Sequence, residues 1–273
     1  MMNESLQTKF ADLRELEMAY LDVGAGPAVL LLHGFPFDKS MWADQLGALN
    51  AAGFRAVVPD LRGLGETKAA GEIITMDDMA RDARALLDHL QIDEAMVCGL
   101  SMGGYVAFEF AHLFPSRVRG LVLSGTRAPA DNEQEKAGRE QQVQTMLRAG
   151  MVPISIATLP KLLAERTRAD KPDVVKRVRT MITRADPKGA AAAQGGMTAR
   201  RDYTEDLTNT NVPTLIIVGR EDPIRPVSDA EFMHKRMRNS RLEIIEDAAH
   251  MTNLEQPEKF NRILLDFLNK LVH

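Results

Sequence analysis

Along the first half of the chain, short apolar runs bounded by turn residues alternate with amphipathic stretches. Ala28–Leu32 (AVLLL), Phe54–Pro59 (FRAVVP), Glu94–Leu100 (EAMVCGL) and Arg119–Gly125 (RGLVLSG) are apolar at consecutive rather than alternate positions. That pattern predicts strands covered on both sides, as in a parallel sheet. Helical patterns lie between them. The clearest is Met76–Leu90, where Met79, Ala83, Leu86, Leu87 and Leu90 recur at helical spacing behind a cap at Thr75, with Asp78 three residues on. Repeated strand and helix predict an α/β fold, a doubly wound sheet with helices on both faces.

The alternation stops at Gly125 and resumes at Val212–Gly219 (VPTLIIVG). Roughly 85 residues intervene, far more than the usual connection of about 2–6. They read as helical: Pro172 suits a first helical position, and Val174, Val175, Val178, Met181 and Ile182 share one face with Arg177 and Arg179 turned away. Met151–Arg168 and Asp186–Met197 read as shorter helices broken by proline and glycine, with the alanine-rich Gly189–Gly196 as a helix end rather than a tether. The core pattern then returns as a helix over Pro226–Arg238, a strand over Arg241–Glu246 and a closing helix over Glu258–Leu271. The expected organisation is a core over residues 1–125, a helical cap insertion over 126–211 and the rest of the core over 212–273. Such an insertion belongs over the C-terminal edge of the sheet, where open α/β folds bind ligands.

Composition narrows the field. The chain has 273 residues, 45% hydrophobic and 26% charged, with a net charge of −4, an ordinary balance for a globular enzyme and no footprint for nucleic acid or an anionic membrane. The first twenty residues carry acidic side chains and lack the apolar core of a secretory leader, and no apolar run approaches the roughly 18 residues of a membrane span. The single Cys98 cannot form an internal disulfide, and no His/Cys cluster has metal spacing. A cytoplasmic protein without metal or organic cofactor is expected; nothing in the sequence sets its oligomeric state.

The chemistry gathers around Met96–Val106 (MVCGLSMGGYV), where one serine stands between a buried strand and a helix. Gly99-Leu100-Ser101-Met102-Gly103 matches G-x-S-x-G in the strand–turn–helix context that motif needs. A β-carbon at either flanking glycine would collide as the chain doubles back, and the helix beginning at Met102 points its free N–H groups at a developing oxyanion. A serine hydroxyl is a poor nucleophile unless a base takes its proton and a carboxylate orients that base. Asp222, in GREDPIRP, and His250, in DAAHMTNLEQP, each follow a later strand, in the order Ser, Asp, His. Asp222 also reads as a turn residue before Pro223, His250 as a loop histidine, and Glu221 and Asp131 are rival carboxylates.

Together, HGFP (His33–Pro36), DLRGLGET (Asp60–Thr67), GLSMGG, GREDPIRP and DAAHMTNLEQP resemble, in order, the α/β-hydrolase fold family from about Leu16 onward. The resemblance implies a mostly parallel eight-stranded sheet with a helical cap. Within that fold the chain is similar to the serine branch of 3-oxoadipate enol-lactonases, aryl esterases and cofactor-free haloperoxidase-type hydrolases. It implies Ser101 as nucleophile, His250 as general base and then acid, Asp222, favoured over Glu221 and Asp131, as orienter, and the backbone N–H groups of Phe35 and Met102 as oxyanion donors. Ser101 separates the chain from the dehalogenase and epoxide-hydrolase branches, which carry aspartate there. Thr67 departs from the serine common at its position but keeps the hydroxyl.

Other residues have plainer readings. His33, Asp60 and Arg62 read as turn stabilisers, Cys98 as an inert buried thiol, and Trp42 as packing rather than part of the site mouth. Met146, Met151, Met181 and Met197 suit either an apolar pocket or core filling, and Arg200 and Arg201 read as a solvated charge run rather than as a patch that steers an acidic substrate. The expectation is an esterase or lactonase acting on a small-molecule substrate through an acyl-enzyme. The competing readings are a ligand sensor or interaction protein with the insertion as a movable lid, and a perhydrolase or a hydrolase of activated carbon–carbon bonds.

Overall fold

The computed structural model describes residues 7–13, 15–69 and 71–272. Residues 1–6, the start of the segment read above for a leader, lie outside the described residues.

Eight strands form one sheet: β1 (Lys9–Asp12), β2 (Glu17–Val23), β3 (Ala28–Leu32), β4 (Arg55–Pro59), β5 (Ala95–Leu100), β6 (Val118–Ser124), β7 (Thr214–Gly219) and β8 (Ser240–Ile245). Their order is β1-β2-β4-β3-β5-β6-β7-β8. From β4 to β8 every pairing is parallel, and β1 and β2 are antiparallel additions at one edge. The apolar runs read from the sequence are therefore the interior strands, and β3, β5 and β7 are buried at every position. The sequence pattern did not reveal β1 and β2, because the edge strand β1 buries one residue of its four, too short a run to show a period.

The core helices are α1 (Ala43–Ala51), α2 (Met76–His89), α3 (Met102–Leu113), α10 (Val227–Arg236), the short α11 (Thr252–Glu255) and α12 (Pro257–Val272). α1 packs with α12, and α2 with α3. The capping box expected for α2 is present: Thr75 Oγ1 accepts from Asp78 N at 3.1 Å, and the Asp78 carboxylate accepts from Thr75 N at 2.9 Å. Trp42 is fully buried, 6.0 Å from the Phe260 ring of α12, as the packing reading requires.

Between β6 and β7 run α4 (Glu133–Ala149), α5 (Met151–Leu162), α6 (Glu165–Asp170), α7 (Pro172–Arg184), α8 (Pro187–Ala199) and α9 (Thr204–Asn209). Pro172 opens α7, and Val178, Met181 and Ile182 are its buried face. The alanine-rich run is not a helix end: it is the interior of α8, and its small residues serve a close approach. Ile74 N donates to Ala192 O at 3.0 Å, and a β-carbon on Gly196 would lie 1.7 Å from Ile74 O. Only glycine lets α8 lie against that backbone.

The direction of the chain reverses at β3: β4 is laid on one side of it and β5 on the other. The crevice beyond the C-terminal ends of β3 and β5 is thus the topological switch point, the place where such sheets bind ligands.

Candidate active site

Ser101 follows β5 at that switch point, with φ 56° and ψ −113°. The turn is enforced by packing. A β-carbon on Gly103 would come within 2.1 Å of Leu32 O, so α3 can start beside β3 only if residue 103 has none. Ser101 N donates to Ser124 O of β6 at 2.9 Å, and Thr126 Oγ1 donates to Ser101 O at 3.0 Å, which fixes the backbone on its other side. The 12-residue α3 directs the positive end of its dipole at this turn.

Asp222 and His250 stand beyond β7 and β8 as expected. Asp222 Oδ1 accepts from the backbone N–H groups of Ile224 and Arg225 at 2.8 and 2.9 Å, so the turn reading of this residue holds. Its Oδ2 lies 2.7 Å from His250 Nδ1, and both side chains are buried. A carboxylate only accepts, so Nδ1 carries the proton and Nε2 is the free nitrogen. The rival acids are placed elsewhere. Glu221 is exposed. Asp131 is buried among Arg127 at 2.9 Å, Arg200 at 2.7 Å and Arg139. Burial alone would raise the Asp131 carboxyl, but the hydrogen bond and charge of Arg139, then those of Arg200, hold it down at about 2.

Ser101 and His250 line one cavity of about 140 Å³ with Phe35, Pro36, Tyr105, Ile154 and Met197, among others. Among the described residues, the N–H groups of Phe35 and Met102 donate to no other backbone carbonyl. Of the four methionines weighed from the sequence, Met197 reaches this cavity, while Met146 and Met151 are buried in the core. Arg200 and Arg201 are not a solvated run. Arg200 is fully buried against Asp131, its guanidinium 4.2 Å from the centre of the Tyr105 ring, and Arg201 pairs with Glu109 at 3.1 Å and Asp206 at 2.7 Å.

The turn residues carry the structural duties read for them. His33 Nε2 accepts from Leu61 N at 2.9 Å while Nδ1 donates to Gly34 O, and burial pushes its pKa below the ordinary histidine value. Asp60 binds Lys39 Nζ at 2.7 Å, and Arg62 pairs with Asp82. Thr67 Oγ1 accepts from Ala19 N at 2.9 Å, which explains why a hydroxyl is kept there. Burial pushes the Cys98 thiol far up, leaving no thiolate to react.

Residues not singled out from the sequence also shape the site. Tyr105 lies on α3 one turn beyond Ser101, and its hydroxyl accepts from Arg225 Nη2 at 2.6 Å and Nε at 3.1 Å. Glu255 is buried in α11, and its carboxylate accepts from Ala249 N at 2.8 Å and from Ala164 N at 2.7 Å. It therefore joins the residue before His250 to the start of α6. The one sequence signal for Glu255 is its place five residues after His250.

This sheet, with a serine on a positive-φ turn at the switch point and a buried Asp–His pair across the same crevice, is the architecture of an α/β hydrolase. The chain belongs to that family: its residues 27–257 match the family model described as alpha/beta hydrolase fold. Among curated relatives, 3-oxoadipate enol-lactonase 2 of Acinetobacter baylyi is 30% identical over 235 residues, covering 86% of each chain. Among solved structures, a thermophilic esterase from Thermogutta terrifontis, with malate bound, is 39% identical with a TM-score of 0.93, covering 97% of this chain and 99% of that one. The enol-lactonase from Burkholderia xenovorans is 26% identical with a TM-score of 0.90, covering 96% and 100%. The chain is an esterase- or lactonase-like hydrolase.

Proposed function

We propose that this protein is a serine hydrolase that cleaves small carboxylic esters or lactones through an acyl-enzyme. The observation that carries the reading is the 2.7 Å contact between Asp222 Oδ2 and His250 Nδ1, buried beside the cavity that Ser101 lines. Asp222 holds the imidazole in the tautomer whose Nε2 is a base. His250 takes the Ser101 proton as Oγ attacks the substrate carbonyl, and the N–H groups of Phe35 and Met102 hold the oxyanion. Proton return from His250 releases the alcohol, or opens the lactone ring without losing it; water activated by the same imidazole then frees the acid. The two relatives named as enol-lactonases and the one named as an esterase support the choice of substrate. Residues 126–211 are read as the cap over this site. A small-molecule substrate and a single buried thiol fit a cytoplasmic enzyme.

The test is chemical. A fluorophosphonate probe is expected to add once, on Ser101, and Ser101→Ala is expected to lose turnover of a short-chain 4-nitrophenyl ester while keeping its circular dichroism. Labelling at another residue, or undiminished turnover by the variant, would overturn the assignment.

A further inference from the structure

The cavity beside Ser101 has an unusual electrostatic wall. Arg127, Arg139, Arg200 and Arg225 surround Tyr105 and Asp131, and the carboxylates that pair with them are Asp131, shared by Arg127, Arg139 and Arg200, and Glu135, bound to Arg127 at 2.6 Å. Four guanidiniums thus face two paired carboxylates. Arg225 is buried and, among the described residues, has no carboxylate partner; its side chain binds the Tyr105 hydroxyl and Ile224 O. The other acids nearby are Asp229, half-buried and, among the described residues, in no ion pair, and Asp222, which faces His250. A buried guanidinium without a counter-charge is expensive, and an entering anion would relieve it.

The donors also converge on the cavity. Tyr105, Arg139 and Arg225 all line the cavity with Ser101 and His250. The Tyr105 oxygen accepts twice from Arg225, and among the described residues no acceptor meets its own proton. Arg139 Nη1 reaches Gln194 Oε1 at a long 3.4 Å and Met197 Sδ, a weak acceptor, at 3.5 Å, and both partners line the same cavity. The charges of Arg225, Arg200 and Arg139 outweigh burial and draw the Tyr105 hydroxyl below its ordinary pKa, which strengthens it as a donor. A phenol and planar guanidinium groups converging on one small cavity match a carboxylate, which takes several donors at once.

We propose that Tyr105, Arg139 and Arg225 form a carboxylate-binding subsite next to Ser101, so that the preferred substrates are small esters or lactones bearing a second, free carboxylate. This deepens the serine-hydrolase reading and rests on it. The subsite holds the substrate by its remote anion, and binding energy gained there places the reacting carbonyl against Ser101.

The test compares two chromogenic esters of nearly equal shape: the mono-4-nitrophenyl ester of succinic acid, which is anionic, and 4-nitrophenyl 4-methylpentanoate, which is neutral. The wild type is expected to show a kcat/KM at least tenfold higher for the anionic ester. Arg139→Met and Arg225→Met are expected to collapse that ratio towards unity by raising KM for the anionic ester, with Arg139→Lys recovering part of it. Binding is read separately on the wild type: 10 mM glutarate is expected to raise the melting temperature by about 2 °C or more, and glutaramide to leave it unmoved. A wild-type ratio near unity, or no stabilisation by glutarate, overturns the subsite. Absence of turnover with both esters together with stabilisation by glutarate would instead remove the hydrolase reading and leave the anion site standing.

Discussion

The backbone of Ser101 allows strain to be separated from chemistry. Its φ of 56° and ψ of −113° fall close to the first central position of a type II′ turn, where glycine is the usual residue. Holding a side-chain-bearing residue in such a region costs about 1–3 kcal/mol. Ser101→Gly removes that strain, offset by about 0.4–1 kcal/mol for the freer unfolded chain. Loss of a half-exposed methyl's worth of contact takes away about 0.4 kcal/mol more. Ser101→Ala keeps the β-carbon and hence the strain. The hydroxyl makes no capping bond to α3, so its removal adds nothing to either variant. With the strain at the middle of its range, Ser101→Gly is expected to be more stable than Ser101→Ala by about 1 kcal/mol, or about 2 °C in a chain of this size. Urea midpoints and thermal melts of the two variants at pH 7 measure the difference, while both lose ester turnover. A glycine variant that melts at or below the alanine variant would refute a strained turn.

Gly103→Ala tests the other half of the turn: a β-carbon 2.1 Å from Leu32 O and 2.8 Å from His33 O meets backbone that cannot swing aside. α3 must back away from β3, which is expected to cost about 1–3 kcal/mol in a urea titration and about 100-fold in kcat/KM, and wild-type values for both would contradict the packing argument. Asp131→Asn leaves Arg127, Arg139 and Arg200 without their shared carboxylate and is expected to cost about 3–5 kcal/mol at pH 7. Because the folded carboxyl is held down at about 2, its contribution is whole above the ordinary value of 3.8 and is lost as pH falls towards 2. The gap in urea midpoint between wild type and variant should therefore narrow from pH 7 to pH 3; a constant gap would exclude ionisation as its source. Glu255→Gln puts an amide where a carboxylate receives two backbone N–H groups and is expected to cost about 1–3 kcal/mol and to lower kcat with little change in KM. Unchanged kcat would show that the loop of His250 is held without it.

What could be read from the chain follows its local chemistry. Interior strands such as β5 announce themselves because both faces are buried; Ser101 and Asp222 stand out because each follows a strand within a few residues of glycine or proline, and His250 because it is the first histidine beyond the last strand. The polar α4 left little trace: of its seventeen residues only Met146 is fully covered, so no apolar stripe marks it, although it carries Arg139 into the cavity. Tyr105 reads as one more apolar position on a buried helix, and its partner Arg225 lies 120 residues away. Glu255 meets Ala164 across 91 residues. Such pairs are set by tertiary packing, and no period or motif in either segment encodes them.

The contacts between the helices of residues 133–209 and the core bear on how the cavity selects. α8 rests on the core backbone through Gly196 and the Ile74–Ala192 hydrogen bond, Glu255 ties α6 to the His250 loop, Arg177 reaches Asp44 at 2.7 Å, and Arg184 binds Asp38 Oδ2 through Nε at 2.9 Å. Swinging this layer away as a lid would break all four attachments together and leave the N–H groups of Ala164 and Ile74 to find new partners. The more economical motion is confined to side chains at the cavity wall, such as Ile154 and Met197. A layer so attached makes the cavity a fixed template, and discrimination among substrates then rests on size and on the charge of the wall rather than on closure. That is the behaviour of a preorganised hydrolase site, and it weakens the reading of the insertion as the moving part of a sensor.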